Sequence, residues 1–238
     1  MEEVNGSAAV SEKYKISHVE CYRTADLKYI DNRQASIYYV LKRLLDVVLS
    51  LIAIIVFIPL FAAVAVLIKL EDGGPVIYTR ICEGKNGSQY KMYKFRSMRV
   101  DADQMMERFS EEQKDYYEKG GKLPDDPRIT RVGRVIRKAS IDELPQLLSV
   151  LKGDMSLIGP RPVIKREAEA YAGKKDMLLS RKPGITGYWQ VNGRKDVDFL
   201  SDKAKAMQLY YVEHYGFKLD VEIFFKTIIK LIQMKDGR

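Results

Sequence analysis

Asp142 and Glu143 stand side by side in the stretch SIDELPQ (residues 140–146), inside a chain whose formal net charge is +8. Two readings compete for them. Ser140 followed by Glu143 fits the capping-box pattern, with Ser140 as N-cap and Glu143 at the third helical position. Carboxylates in a first turn also suit the helix dipole. The other reading is chemical. Arg128, Arg131, Arg134 and Arg137 recur every three residues and are followed by Lys138, a spacing that keeps neighbours on one helical face. Such a run is ordinarily a solvated surface. A carboxylate beside fixed cations nevertheless stays ionised. An ionised aspartate that phosphate can approach, with cations to screen the repulsion, has what an aspartyl-phosphate nucleophile requires. Pro145 disfavours helical geometry at Leu144, which leaves the start of the following helix open by a few residues.

Two further arginines lie in stiff loops, Arg161 in GPRP (residues 159–162) and Arg194 at the end of PGITGYWQVNGR (residues 183–194). Proline fixes the backbone and glycine permits unusual angles, so both guanidinium groups are held. Their planar fork suits bidentate phosphate binding. Turns of this composition are common, and either one alone is weak support.

The elements that must position these residues begin with an apolar one. Residues 47–68, VVLSLIAIIVFIPLFAAVAVLI, carry no charge; as a helix they reach about 33 Å, against roughly 30 Å for a bilayer core. A buried core helix seldom stays uncharged so long, and membrane contact is the expectation. Pro59 sits mid-run and removes one backbone hydrogen bond, a break that spanning helices tolerate. Lys42 and Arg43 precede the run, while Lys69, Arg80 and Lys85 follow it. Cations on both flanks give both ends a cytoplasmic character. A helix bent at Pro59 that enters and leaves by one face satisfies both observations; a straight span is the alternative.

Around it, residues 1–40 read as a polar N-terminal arm, residues 41–72 as the membrane-inserted helix and residues 73–238 as the catalytic domain. VIYTRIC and QYKMYKF flank a turn containing Asn86-Gly87, a hairpin signal. Residues 101–119 read as a solvated helix, residues 131–138 as a short basic helix. An apolar helix should then end near Lys152-Gly153. At the C-terminus, FKLDVEIFFKTIIKLIQMK is apolar at Val221, Phe224, Phe225, Ile228, Ile229 and Ile232, with lysines at 218, 226, 230 and 235 and Asp220 as a plausible N-cap. It is either a core-facing helix or one lying in a membrane interface. The fold class expected is α+β and mainly helical.

The basic balance favours anionic partners. A nucleic-acid-binding protein would account for the charge but not for the uncharged run, and the aromatics do not interleave with the basic residues as stacking platforms would. Cys21 and Cys82 have no metal or disulfide spacing and read as reduced cytosolic thiols. The acidic, polar N-terminus does not resemble a signal peptide.

Taken together, KRLLDVVLS, GGPVIYTR, YKMYKFRSM, RITRVGRVIRKASIDELPQLLSVLKGDMSLIGPRP and KPGITGYWQVNGR resemble the bacterial sugar transferases, monotopic polyprenyl-phosphate phosphoglycosyl transferases. The resemblance covers residues 41–232. It implies a re-entrant helix broken at Pro59, on the cytoplasmic face of the bacterial plasma membrane, and a two-step Mg²⁺-dependent reaction. Asp142 would take a sugar phosphate from a UDP-sugar with release of UMP, then pass it to undecaprenyl phosphate. Such a step begins exopolysaccharide, capsule or glycoconjugate synthesis, and the long PGITGYWQVNGR segment leans toward glucose or galactose. Glu143 would join Asp142 in binding the metal or assist proton transfer, and Arg137 would bind phosphate near the lipid substrate. Pro160, Arg161 and Pro162 would shape the nucleotide end, with Arg194 as a further phosphate ligand. Relatives often carry Ser before the breaking proline; here it is Ile58. A membrane-anchored scaffold without activity would share the fold, but it would have little need of Asp142, Glu143 and Arg137 together.

Overall fold

A computed structural model describes residues 32–118, 123, 125–193 and 199–233 of the chain. Most of the polar arm therefore lies outside the described residues. The apolar run belongs to a much longer helix, α1 (Asn32–Asp72), of 41 residues, about 60 Å at 1.5 Å per residue. It begins well ahead of Leu41. Pro59 sits within it, and the helix continues on either side, although proline can offer no N–H to the carbonyl of Ile55. Among the described residues α1 is the helix long and apolar enough to cross a membrane, and 11% of its most apolar stretch is buried. Leu51, Ile52, Ile55, Val56 and Ile58 all point outward.

The two ends of α1 behave differently from its middle. Near the start, Lys42 Nζ donates to Asp220 Oδ2 at 2.6 Å, and the Tyr38 hydroxyl donates to the same oxygen at 2.8 Å. Arg43 donates to the carbonyls of Val150 and Leu151 at 2.6 and 2.8 Å, and Asp46 accepts from the Leu157 N–H at 2.9 Å. Near the end, Asp72 pairs with the buried Arg96, and Glu71 Oε1 accepts from the Arg131 N–H at 2.7 Å. Val64 and Ile68 pack with Phe95 and Ile136. One body thus grips the helix at both ends.

That body starts with an antiparallel hairpin, β1 (Ile77–Glu83) and β2 (Gln89–Phe95), in register from Ile77 opposite Phe95 to Glu83 opposite Gln89. Asn86 and Gly87, at φ 58° and 74°, make the turn; Asn tolerates the left-handed region better than most residues and Gly adopts it freely. The expected single solvated helix is two, α2 (Ala102–Glu107) and α3 (Glu111–Glu118). Next, α4 (Arg131–Lys138) is capped by Thr130, whose hydroxyl accepts from the Gly133 N–H at 2.8 Å. A 3₁₀ turn (Ile141–Glu143) and α5 (Gln146–Lys152) follow, and Gly153 closes α5 at φ 92°.

The remaining elements are short. Strands β3 (Ser156–Ile158) and β4 (Gly184–Thr186) pair in parallel, enclosing α6 (Lys165–Glu169) and α7 (Lys175–Leu179) between them in sequence. Nothing in the sequence pattern marks three-residue strands. Helices α8 (Tyr188–Asn192), α9 (Asp202–His214) and α10 (Phe217–Gln233) complete the described chain.

Asp220 is not the N-cap of α10. It lies in the first turn, buried, and accepts from Tyr211 at 2.8 Å in addition to Tyr38 and Lys42. Ile223 is buried beside it, whereas Phe224, Phe225, Ile229 and Ile232 face outward. An outward apolar face is the composition of an interfacial helix and not of a core-facing one.

Two substitutions test this packing. Asp220→Asn leaves the half-buried Lys42 ammonium without its countercharge, and should cost about 3 kcal/mol. Glu111→Gln, which breaks the exposed pair with Lys114, should stay within about 0.5 kcal/mol; denaturation of the detergent-solubilised protein compares them. Gly133→Ala would place a Cβ 2.0 Å from the Ser97 carbonyl oxygen. Backbone meets backbone there, so α4 must shift, with a loss of about 1–3 kcal/mol read by the same measurement.

Candidate active site

Asp142 is presented by the 3₁₀ turn between α4 and α5, and its exposure is 9%. The capping box expected here does not form. Ser140 adopts the left-handed region at φ 55°, its side chain makes no cap bond, and its hydroxyl is buried. Glu143 turns away and receives the Lys94 ammonium at 3.3 Å.

Leu144 is helical despite preceding proline. The chain passes Pro145 on bonds between residues three apart: the Leu144 N–H donates to Ile141 at 3.1 Å, Leu147 to Leu144 at 3.0 Å and Leu148 to Pro145 at 3.1 Å. Proline's missing N–H falls where α5 has yet to begin.

The basic run divides into two parts. Arg131, Arg134, Arg137 and Lys138 are exposed on α4. Arg128 is not on that face. It is buried ahead of the helix in a fork with Asp126, Nε to Oδ1 at 2.9 Å and Nη2 to Oδ2 at 2.7 Å. Burial alone would raise the Asp126 carboxyl, but hydrogen bonds and charge from Arg128, with a contribution from Arg137, hold it below the usual range. Arg137 stands in the last turn of α4, shortly before the 3₁₀ turn.

The Pro160-Arg161-Pro162 loop leaves β3. Pro160 is buried and its carbonyl accepts from the Gly184 N–H at 2.8 Å. Arg161 is held from three sides. Its N–H donates to Gln208 Oε1 at 2.8 Å, its guanidinium lies 4.1 Å from the Phe199 ring centroid, and Nη1 approaches Glu167 at 3.5 Å. Pro162 is half-buried. Arg194 lies outside the described residues.

The hairpin joins these two loops. Opposed residues of an antiparallel pair share a face, and alternate residues repeat it. Lys94 lies opposite Tyr78, and Arg80 opposite Met92, so Lys94 and Arg80 occupy the same face on adjacent rungs. Lys94 reaches Glu143, while Arg80 approaches Glu167 at 3.9 Å. Cys82, buried on that same face, senses the whole group. Burial pushes its thiol up to about 11; the charges of Arg80, Lys94 and Arg161 oppose the rise and Glu167 reinforces it.

Lys94 and Glu167 are not among the residues singled out from the sequence, and Arg80 is read there only as a cation flanking the apolar run. The alternation of YKMYKF could have flagged Lys94 as sharing a face with buried residues; nothing local marks Glu167. The resulting arrangement is a buried carboxylate, Asp142, at a turn that follows the basic helix α4 and packs beside β2, where Lys94 meets the neighbouring Glu143.

Comparison with known proteins places the chain in a family. Residues 37–234 match the family model described as bacterial sugar transferase. The exopolysaccharide production protein ExoY of Sinorhizobium fredii (strain NBRC 101917 / NGR234) is 42% identical over 190 residues, 79% of this chain and 83% of the relative. The undecaprenyl-phosphate galactose phosphotransferase of Salmonella typhimurium is 43% identical over 200 residues, covering 83% of this chain and 41% of that protein. A UDP-N-acetylgalactosamine-undecaprenyl-phosphate N-acetylgalactosaminephosphotransferase of Aeromonas hydrophila is 38% identical over 226 residues, 93% of this chain and 49% of the relative. The chain thus spans less than half the length of the latter two. With the family model covering the helix α1, the Asp142 turn and the Arg161 loop alike, this chain belongs to the bacterial sugar transferase family.

Proposed function

We propose that the protein transfers a sugar 1-phosphate from a UDP-sugar to undecaprenyl phosphate, releasing UMP, as the first membrane step of exopolysaccharide, capsule or glycoconjugate synthesis. The observation that carries the reading is Asp142, a buried carboxylate on a turn that follows the last turn of α4, where Arg137 stands, and whose next residue, Glu143, meets Lys94 of β2. The names of the Salmonella and Aeromonas relatives supply the acceptor and the class of donor.

In the first step an Asp142 oxygen attacks the β-phosphorus of the UDP-sugar. The bond from that phosphorus to the bridging oxygen breaks, and UMP leaves with the oxygen. The sugar phosphate remains as an acyl phosphate on Asp142. A phosphate oxygen of undecaprenyl phosphate then attacks the same phosphorus, the acyl bond breaks, and the Asp142 carboxylate is restored. Arg161, fixed by Phe199, Gln208 and Glu167, is suited to hold the nucleotide diphosphate with the flanking Pro160 and Pro162, and Arg137 the lipid phosphate. Arg194 is assigned to phosphate from its sequence position.

Mg²⁺ retains water and takes one or two carboxylates together with substrate phosphates. Asp142 and Glu143 are carboxylates of that kind, but they leave the 3₁₀ turn in different directions and Glu143 is engaged by Lys94 at 3.3 Å, so Asp142 with substrate phosphates would hold the ion and Glu143 would join only on release from Lys94. Bound there, the ion would neutralise charge on the diphosphate.

The proposed topology is monotopic, on the cytoplasmic face, with α1 entering and leaving by one side. Contacts from Lys42, Arg43 and Asp46 at one end, and from Glu71 and Asp72 at the other, reach the same body. A bilayer passing between those ends would have to separate them. The outward face of α10, joined to α1 through Asp220, lies in the interface in this arrangement.

Asp142→Asn should abolish turnover while leaving the thermal unfolding midpoint near that of the parent, because an amide cannot replace the carboxylate nucleophile. Unaltered protein mixed with UDP-sugar and Mg²⁺, without lipid, should release UMP in a burst of at most one equivalent and gain the mass of one sugar phosphate. Near-normal UMP release by Asp142→Asn would sink the mechanism. For topology, Ile37→Cys and Ser88→Cys, each in a background lacking Cys21 and Cys82, should resist a membrane-impermeant thiol reagent in intact cells and react once the membrane is opened. External labelling of Ile37→Cys alone would mean that α1 spans the bilayer.

A further inference from the structure

Several cations that touch the body of the protein are matched by carboxylates: Lys42 by Asp220, Lys94 by Glu143, Arg96 by Asp72, Arg128 by Asp126. One corner gathers four cations. Arg43, Lys85, Arg181 and Lys182 converge where α1 enters its apolar run, and none of the four ion-pairs with a carboxylate among the described residues. Arg43 is occupied by the Val150 and Leu151 carbonyls at 2.6 and 2.8 Å. Arg181 stacks on Tyr215, its guanidinium carbon 3.6 Å from the ring centroid, and it donates to the Tyr39 hydroxyl. Lys85 reaches over the other side of the cluster, its Nζ 5.6 Å from the Tyr39 ring centroid. Lys182 Nζ and Arg43 Nη2 both come within 4 Å of the place a Gly153 Cβ would occupy.

The neutral partners cannot cancel this charge. Burial, with a hydrogen bond to Tyr215, pushes the Tyr39 phenol up to about 12, so it stays protonated beside Arg181. The Nε of Arg181 is buried without an acceptor. Lys182 is held below the usual lysine range first by burial and next by the charge of Arg43, with Lys85 adding to it. Asp46 and Asp154 act on Lys182 in the opposite sense without reaching ion-pair distance, and Asp46 is committed to the Leu157 N–H at 2.9 Å.

We infer that Lys85, Arg181 and Lys182, set around Tyr39 and Tyr215, form a second anion site that takes the headgroup phosphate of an anionic phospholipid where α1 enters the bilayer. The chemistry recognised is a phosphodiester. The source is assigned to lipid by position: Tyr39 lies just over two helical turns before the apolar run that begins at Val47, with Lys42 and Arg43 between them. Tyrosines and cations are the residues expected at headgroup depth. The site is separate from Asp142. Its cations come from the hairpin turn and the loop after α7, neither of which carries a residue of the proposed reaction. A lipid bound there would hold α1, the hairpin turn and the 181–182 loop together and fix the depth of the body at the membrane.

The test uses the full chain in a neutral detergent, stripped of lipid, and titrates short-chain phosphatidylglycerol while following the unfolding midpoint and the bound mass. The midpoint should rise saturably with phosphatidylglycerol and not with the matching phosphatidylcholine, and millimolar inorganic phosphate should not displace the lipid. Arg181→Gln/Lys182→Gln should weaken binding about 30-fold and Lys85→Gln about 5-fold, the losses expected for two cations and one at a bilayer surface. Lys85 is exposed in a turn, so its variant carries the test if the double variant fails to fold. Lys91→Gln/Lys114→Gln, which removes equal charge elsewhere, and Arg137→Gln should bind as the parent does. Undiminished binding by Lys85→Gln, equal loss in the Lys91/Lys114 control, or loss only with Arg137→Gln would each overturn the assignment. Displacement by inorganic phosphate would overturn the lipid as its source. Turnover is not read, so the result stands apart from the proposed reaction.

Discussion

The whole arrangement depends on a polar grip at both ends of an apolar helix. Lys42 and Tyr38 pair with the buried Asp220 at one end of α1, and Asp72 with the buried Arg96 at the other. Charges are removed from water only where a partner is fixed, and these partners belong to α10 and to the residue after β2. The middle of α1, by contrast, makes almost no contact with the body. An apolar surface left without protein partners is stable in hydrocarbon and costly in water. In the proposed topology the same contacts that anchor the helix set the plane of the membrane against the body, and with it the distance of the Asp142 turn from lipid.

A second consequence concerns charge. The site holds its cations with a deliberate deficit of acid: Glu167 serves both Arg80 and Arg161, and Glu143 serves Lys94. One carboxylate shared by two guanidinium groups orients both without cancelling both. Arg137 and its neighbours on α4 add further positive potential. A diphosphate arriving in the proposed reaction meets fixed donors, and little reorganisation is left to the moment of transfer. Rigidity has a local cause in each case: rings around Arg161, a strand under Lys94, the turn after Pro160.

Much of this was legible in the sequence because it repeats or punctuates. The length of the apolar run, the Asn86-Gly87 turn, the helix over residues 131–138 and the stop at Gly153 all follow from local rules. Other features depend on partners far along the chain and could not be read locally. The α1 helix extends ahead of Leu41, and its first turns are held where Tyr38 and Lys42 find Asp220, 182 and 178 residues away. Arg128 reads as part of a surface run, yet Asp126 draws it into the interior. Parallel pairing of β3 with β4 needs no pattern beyond small residues, since Gly159 and Gly184 approach so closely that a Cβ on Gly184 would lie 2.0 Å from the Gly159 nitrogen. The capping box failed for a similar reason. Lys94 competes for Glu143 from another strand.

That failure bears on how two adjacent carboxylates acquire different work. Had Ser140 capped a regular α-helix, Asp142 and Glu143 would lie about 100° apart on its first turn. In the 3₁₀ turn that forms, successive side chains diverge by about 120°. One is turned into the fold and the other toward β2. Ser140 makes that turn possible by entering the left-handed region, which costs a non-glycine residue about 1–2 kcal/mol. Strain of this kind persists only where surrounding packing fixes it, and here Gly133 against Ser97 and Arg43 against α5 hold the elements on either side. The backbone, more than the identity of the two acids, separates the nucleophile of the proposed reaction from its neighbour.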